Sequence, residues 1–390
     1  MALILFWAAV GLILYAYLFF PLLVVLRGLI WRKPYKSQLT DPLPRVSIII
    51  AAYNEEKEIS NKLDNILSLD YPRGRLEVII ASDGSTDRTN AIVQSYEGRG
   101  IKLLPLPRVG KAAALNAAVS ASTGEILVFS DANSMFRPDA LRELVCPFAD
   151  AAVGGVAGNQ CYVKKREASS VGAGEQSYWD FDRIMKQFES SAGNTISATG
   201  AIYAIRRLLF EPVVEGVTDD FYTSTSVIAR GYRLVFAPEA IAYEAVAGTS
   251  RSEFGRKVRV ITRGLRAVFV ARRQLLNPFR YGFYAIQLFS HKALRRLVVF
   301  LLLLLLLVNT FLWNDGWFYR LMMLGQLGFY GLGLLGYLLD GTRLGRLKFL
   351  TIPFYFCLVN YAVLLAVLNI MRGQQIKRWE PQRKVEQSEV

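Results

Sequence analysis

Apolar residues are spread unevenly along the chain, and the unevenness predicts its organisation. Residues 3–28, LILFWAAVGLILYAYLFFPLLVVLRG, carry no charge before Arg27. As a helix this stretch is long enough to cross a hydrocarbon core of about 30 Å. Three further apolar stretches, 297–313, 321–339 and 349–371, predict C-terminal spans, with aromatic residues at their flanks as interfacial belts have. Between the two ends the pattern changes. Short β-branched runs at 46–52, 76–82, 101–106 and 125–131 predict strands. Amphipathic or Ala-rich stretches at 57–69, 87–96 and 111–122 predict the helices between them. Strand–helix alternation at this spacing predicts a parallel sheet with right-handed crossovers. Ligands on such sheets bind beyond the carboxyl ends of the strands.

Basic residues then refine the picture. Arg27, Arg32, Lys33 and Lys36 follow the first span, which predicts a cytoplasmic domain after it. Length, the missing basic leader and the absent small-residue cleavage site argue against a signal peptide. Residues 251–275 carry arginines and lysines through a periodic apolar pattern, the mark of a helix lying in the interface plane, and 277–297 resembles it. The predicted divisions are an N-terminal span at 1–30, an α/β domain at 40–250, interfacial helices at 251–296, spans at 297–371 and a basic tail at 372–390. Two rules conflict at that tail. Three spans after a cytoplasmic domain place it outside, whereas its charge places it inside. Either one segment is re-entrant, or the tail departs from the charge rule.

Composition agrees with a membrane protein. The 390 residues are 53% hydrophobic, with a net charge of +14. The excess of basic residues suits anionic lipid or an anionic substrate such as a nucleotide. It forms no separate arm of the kind that binds nucleic acid. From three cysteines without a C-x-x-C pair neither a disulfide framework nor a thiolate metal site follows, and the one histidine, His291, argues against a histidine metal cluster or a Ser/His/Asp triad in the α/β domain.

The chemistry lies in the acids that close the strands. VIIASDGSTDRT (78–89) and VFSDANSMF (128–136) each bring an Asp to a predicted sheet edge, Asp83 and Asp131, and VTDDFYTS (217–224) follows with Asp219 and Asp220. Each has a plain alternative role as a turn or helix-capping residue. No G-x-G-x-x-G follows the first strand, and there is no Walker A lysine motif, so dehydrogenase and phosphoryl-transfer readings are weak.

In order and spacing, IIIAAYNEE, ASDGSTDRT, GKAAALNAAVSASTGEILVFSDAN, SATGAIYAI and VTDDFY resemble the membrane-embedded family 2 glycosyltransferases of the cellulose/hyaluronan synthase superfamily. The resemblance covers roughly residues 40–300 and implies a Rossmann-like GT-A domain that handles a nucleotide-sugar, a UDP-sugar by expectation. It implies that Asn54, Glu55 and Asp83 line the nucleotide pocket and that Lys111 meets the diphosphate. Asp131 opens the D-x-D motif that holds a divalent metal, Mg²⁺ or Mn²⁺. Here the motif reads Asp131-Ala132-Asn133, with an amide as the second ligand. Asp220 stands at the general base, with Asp219 replacing the family's Glu, and Gly200 lies in the acceptor-side loop. Arg263 is the best match to the Arg of Q-x-x-R-W, but a glycine follows where the family has Trp. Trp179 is an alternative acceptor platform.

The activity this implies is inverting transfer to a growing polysaccharide at the cytoplasmic face of the inner membrane, with secretion partners. The missing Trp favours, as the alternative, single transfer to a polyprenyl-phosphate or glycolipid acceptor. A silent sugar-nucleotide sensor is the third reading, supported only by Asn133.

Overall fold

The structure is a computed structural model that describes residues 1–38, 41–163, 170–245 and 250–373. The predicted basic tail lies almost wholly outside the described residues. Internal contacts divide the chain into two units.

The chain opens on α1, continuous over Ala2–Ile30, which contains a π-helical stretch at Tyr15–Phe19. Its residues through Leu26 belong to a helical unit, and Arg27 onward to an α/β unit. The α/β unit is built on β1 (Val46–Ala52), α2 (Ile59–Leu67), β2 (Leu76–Asp83), α3 (Thr89–Gln94), β3 (Ile101–Leu106), α4 (Lys111–Ser120) and β4 (Ile126–Phe129). β5 (Met135–Phe136), α5 (Ala140–Val145) and β6 (Val153–Val163) follow. The chain then passes through α6 (Ser170–Ser191), β7 (Tyr203–Arg206), α7 (Asp219–Ala229) and β8 (Arg233–Ala245).

The eight strands form one sheet in the order β3-β2-β1-β4-β7-β6-β8-β5. The first four pair in parallel, as the alternation predicts, with Val46 opposite both Leu76 and Ile126. β7 runs antiparallel to both β4 and β6, so the second half of the sheet is mixed. Every residue of β1 is buried, which matches its unbroken apolar run: a central parallel strand is covered on both faces. One face carries α2, whose Ile59, Leu63 and Ile66 are buried. The other carries α4, through Ala114, Leu115, Ala118 and Val119. Alanines hold α4 close to the strands, so its first turn stands at their carboxyl ends.

The helical unit continues with α8 (Ser250–Leu275), α9 (Phe283–Phe311), α10 (Trp317–Leu338) and α11 (Lys348–Met371). Of these α9, α10 and α11, together with α1, are long and apolar enough to cross a membrane. The predicted boundary at 296 falls inside α9. Helical backbone runs from Phe283 to Phe311 through a π-helical stretch at Phe289–Leu294, because neither Gly nor Pro interrupts it. Inside this unit Phe6 of α1 is wholly buried with Leu305 and Val308 of α9 and with Leu312 just beyond its end, and its ring meets Tyr319 edge-on at 5.1 Å.

Candidate active site

Lys111 is the centre of the site. Gly110, at φ +92°, turns the chain into α4 in a conformation that suits glycine. The Lys111 ammonium then donates to Asp131 Oδ1 at 2.8 Å and lies 3.1 Å from Asp219 Oδ2. A cation in the first turn of a helix opposes the helix dipole. Burial also disfavours its charge, yet the two carboxylates outweigh burial and raise the Lys111 pKa. One ammonium thus ties the end of β4 to the start of α7.

Asp131 follows β4, and its backbone N–H donates to the Gly200 carbonyl at 3.1 Å. A Cβ on Gly200 would lie 2.8 Å from Asp131 Oδ2, so Gly200 leaves room for that carboxylate. The expectation for Gly200 was close approach by an acceptor sugar; the group that closes on it within the chain is Asp131. Asn133 turns its amide N–H toward Glu244 of β8, at 2.8 Å. Gln160 also donates to Glu244, and the Ser134 hydroxyl lies 3.5 Å from it. Sequence reading missed Glu244, which belongs to no motif it used. Asp131 Oδ2 and the Asn133 side-chain oxygen carry no hydrogen bond among the described residues. No group of three or more Asp, Glu, His or Cys side chains able to hold a metal occurs among them either. Any cation here would rest on two protein oxygens and complete its shell from a ligand. That donor set, hard and incomplete, suits Mg²⁺ or Mn²⁺ with phosphate.

Asp219 and Asp220 open α7 after Thr218, so both carboxylates sit at a helix N-terminus, where the dipole favours negative charge. Asp219 is spent on Lys111. Asp220 accepts only from the N–H of Phe221, at 2.7 Å. Burial and the neighbouring Asp219 push Asp220 up to about 6, against the pull of Lys111. Tyr203 of β7 is 1% exposed and stacks on Phe129 with centroids 4.8 Å apart. Its phenol is pushed up by burial first, and Asp219, Asp220 and Asp131 push the same way. Four polar side chains from β4, α4 and α7 therefore converge at one edge of the sheet.

The residues that the resemblance assigns to the nucleotide pocket follow β1 and end β2, and each makes contacts within the chain. Asp83, 1% exposed, accepts from the N–H groups of Val109 and Gly110 at 2.7 and 2.8 Å and pairs with Arg108. The Arg108 guanidinium lies 3.3 Å above the Tyr53 ring. Asp83 therefore anchors the loop that delivers Lys111. Asn54 adopts φ +53°, which its short amide tolerates, and accepts from the Thr86 N–H at 2.8 Å. Glu55 is buried, and its N–H donates to the Thr89 hydroxyl at 2.8 Å. Asp87 accepts from the N–H and hydroxyl of Thr89, the first residue of α3. Arg263 lies on α8, and both it and Trp179 belong to the helical unit.

Residues 47–211 match the sequence family described as glycosyl transferase family 2. The chain carries a glycosyltransferase family 2 domain. Over 204 residues, half of this chain, it is 30% identical to the beta-monoglucosyldiacylglycerol synthase of Nostoc, covering 43% of that protein. It is 27% identical to the poly-beta-1,6-N-acetyl-D-glucosamine synthase of Staphylococcus epidermidis over 52% of this chain and 50% of that one. The chain spans about half the length of the curated relatives it matches. Among solved structures, the mannosyltransferase PcManGT of Pyrobaculum calidifontis, in complex with GDP-Man and Mn²⁺, superposes with a TM-score of 0.70 at 26% identity. That match covers 95% of this chain and all of the other. The fold is GT-A, and the four apolar helices accompany it at the two ends of the chain.

Proposed function

We propose that the protein transfers a hexose from a nucleoside diphosphate sugar to a lipid-linked acceptor, with inversion at the anomeric carbon. One observation carries this reading: Lys111 joins Asp131 to Asp219 while Asp220, beside them, keeps an unengaged carboxylate oxygen and a raised pKa. Lys111 and the N-terminus of α4 supply positive charge for a diphosphate. Asp131 and Asn133 are the residues that would hold a divalent cation, which supplies charge neutralisation for the departing diphosphate. Asp220 takes the proton from the acceptor hydroxyl as that oxygen forms its bond to the anomeric carbon, and the bond to the nucleoside diphosphate breaks. A carboxylate with a pKa near 6 is ionised at neutral pH and more basic than an ordinary one. The anionic leaving group needs no proton, so a second carboxylic acid is not required. Arg263 joins this set through the sequence resemblance alone.

The acceptor assignment draws on the glycolipid synthase relative and on the glycine at position 264, where the processive synthases carry Trp. The polysaccharide reading draws on the likeness to the N-acetylglucosamine polymer synthase. The full-length neighbour holds GDP-mannose, which stands beside UDP-sugars as a donor to test. The proposed location is the inner membrane with the catalytic domain on the cytoplasmic side. Membranes containing the protein, given UDP- and GDP-sugars with Mn²⁺ or Mg²⁺, are expected to release nucleoside diphosphate and label a lipid-extractable product by one sugar. A ladder of longer products would favour polymerisation. Absence of nucleoside diphosphate with every donor would overturn transfer itself.

A further inference from the structure

Lys62 is a charged residue that the site's chemistry leaves without a role. It lies on α2 and is wholly buried, although lysine is almost never fully buried unless paired. No carboxylate lies within ion-pair distance of it among the described residues. Its ammonium donates to the Ser130 hydroxyl at 2.8 Å and to the Ser134 carbonyl, and stands 4.0 Å from the Phe136 ring centroid. Ser130 in turn donates to the Ala201 carbonyl at 2.9 Å. Burial pulls Lys62 down to about 7, while Asp131 and Glu244 pull the other way, so those two acids are the charges nearest in effect.

These contacts bracket one short segment. Ser130 precedes Asp131, and Ser134 follows Asn133. Glu244 holds the same segment from β8, through Asn133 and Ser134. We infer that Lys62 is the positioning residue of this loop: its ammonium ties Ser130 to Ser134 from behind and so fixes Asp131 and Asn133 toward the donor. A buried ammonium is an expensive way to hold a turn, because desolvation works against it. It gives what an apolar residue of equal size cannot, several donors at one point, aimed at both ends of a five-residue loop. The Ala201 link couples the loop to Gly200, against which Asp131 Oδ2 rests.

The inference rests on donor binding at Asp131, and its test separates the two. Lys62→Met keeps the stem volume and the contact with Phe136 but removes the ammonium. Hydrogen exchange in the metal-free protein is expected to show faster exchange confined to residues 130–136, with the remaining sheet protected as in the parent. Titration with Mn²⁺ and GDP or UDP is expected to show binding weakened about tenfold, with KM for the donor raised more than kcat is lowered. A folded Lys62→Met protein with parent-like exchange at 130–136 and parent-like binding would overturn the assignment. Should Lys62→Met not fold, Ser130→Ala decides, since it keeps the lysine and loses one acceptor. Weakening of a few fold supports the role, and unchanged exchange and binding refute it. If the parent protein binds neither nucleotide with Mn²⁺, the functional reading falls, while the exchange measurement still judges Lys62.

Discussion

Asp220 illustrates how one side chain can serve chemistry and disserve stability. Its pKa is about 6 in the fold, against an ordinary value near 3.8, with burial the main cause and Asp219 the second. The folded protein therefore holds a proton that the unfolded chain has released between about pH 4 and pH 6. Stability falls as pH rises through that window, by ~1–3 kcal/mol, and is level above it. Asp220→Asn removes the penalty. Its melting temperature is expected to match the parent near pH 4 and to exceed it by several degrees at pH 7.5, read by calorimetry across pH. The same change is expected to lower kcat by a factor of about 10² to 10⁴, as loss of a general base does. In the parent, kcat/KM for the donor should rise about tenfold per pH unit below 6 and level above it, because the free enzyme's base must be ionised. A variant that lost activity without gaining stability above pH 6 would place Asp220 in a scaffold role.

At the scale of elements, the loop from β3 into α4 separates two readings of Asp83. The sequence identifies an acid at the end of β2 and, through the family resemblance, assigns it to a nucleotide. In the fold that carboxylate is taken by two N–H groups and Arg108. Asp83→Ala would remove the carboxylate that the guanidinium and both N–H groups share, a loss of about 3 kcal/mol or more. Its melting temperature is expected to drop well below the parent's, even with no ligand present. A variant that melts with the parent yet loses nucleotide affinity would restore the ligand role. What was legible follows from periodicity. β1 to β4 and the helices between them appear in the predicted order with ends shifted by a few residues, because alternation of apolar runs fixes which side each element buries. Asp131, Asp219 and Asp220 stood out in the sequence as acids closing short apolar runs, and Lys111 through the family resemblance. Glu244, Arg108 and Lys62 did not, since their roles depend on partners 25 to 111 residues away in sequence that no local pattern encodes. The mixed half of the sheet was missed for the same reason: pairing of β7 with β4 is a long-range event between short strands.

For the whole molecule, charge and apolar surface make different demands on the membrane, and they can be told apart. A protein with a net charge of +14 could be held at an anionic surface by electrostatics alone. Such binding weakens steeply with salt, since charges at about 1 M ionic strength are screened within about 3 Å. The helices argue for a second and stronger hold. Leu303, Leu307 and Phe311 on α9, Leu334 and Leu338 on α10, and Ile352 and Tyr361 on α11 are all exposed in the isolated chain. Soluble proteins rarely leave contiguous apolar surface of this extent uncovered. Lipid is the cover that their length and composition fit, because a helix satisfies its own backbone in hydrocarbon and needs only apolar side chains outside. Fractionated cells are therefore expected to retain the protein in the membrane pellet after washes in about 1 M salt and in alkaline carbonate, and to release it with detergent. Release by salt would mean that the basic residues hold the chain and that its apolar helices are covered by protein. Retention would make the bilayer part of the fold, since the apolar faces of those helices would then have lipid as their cover.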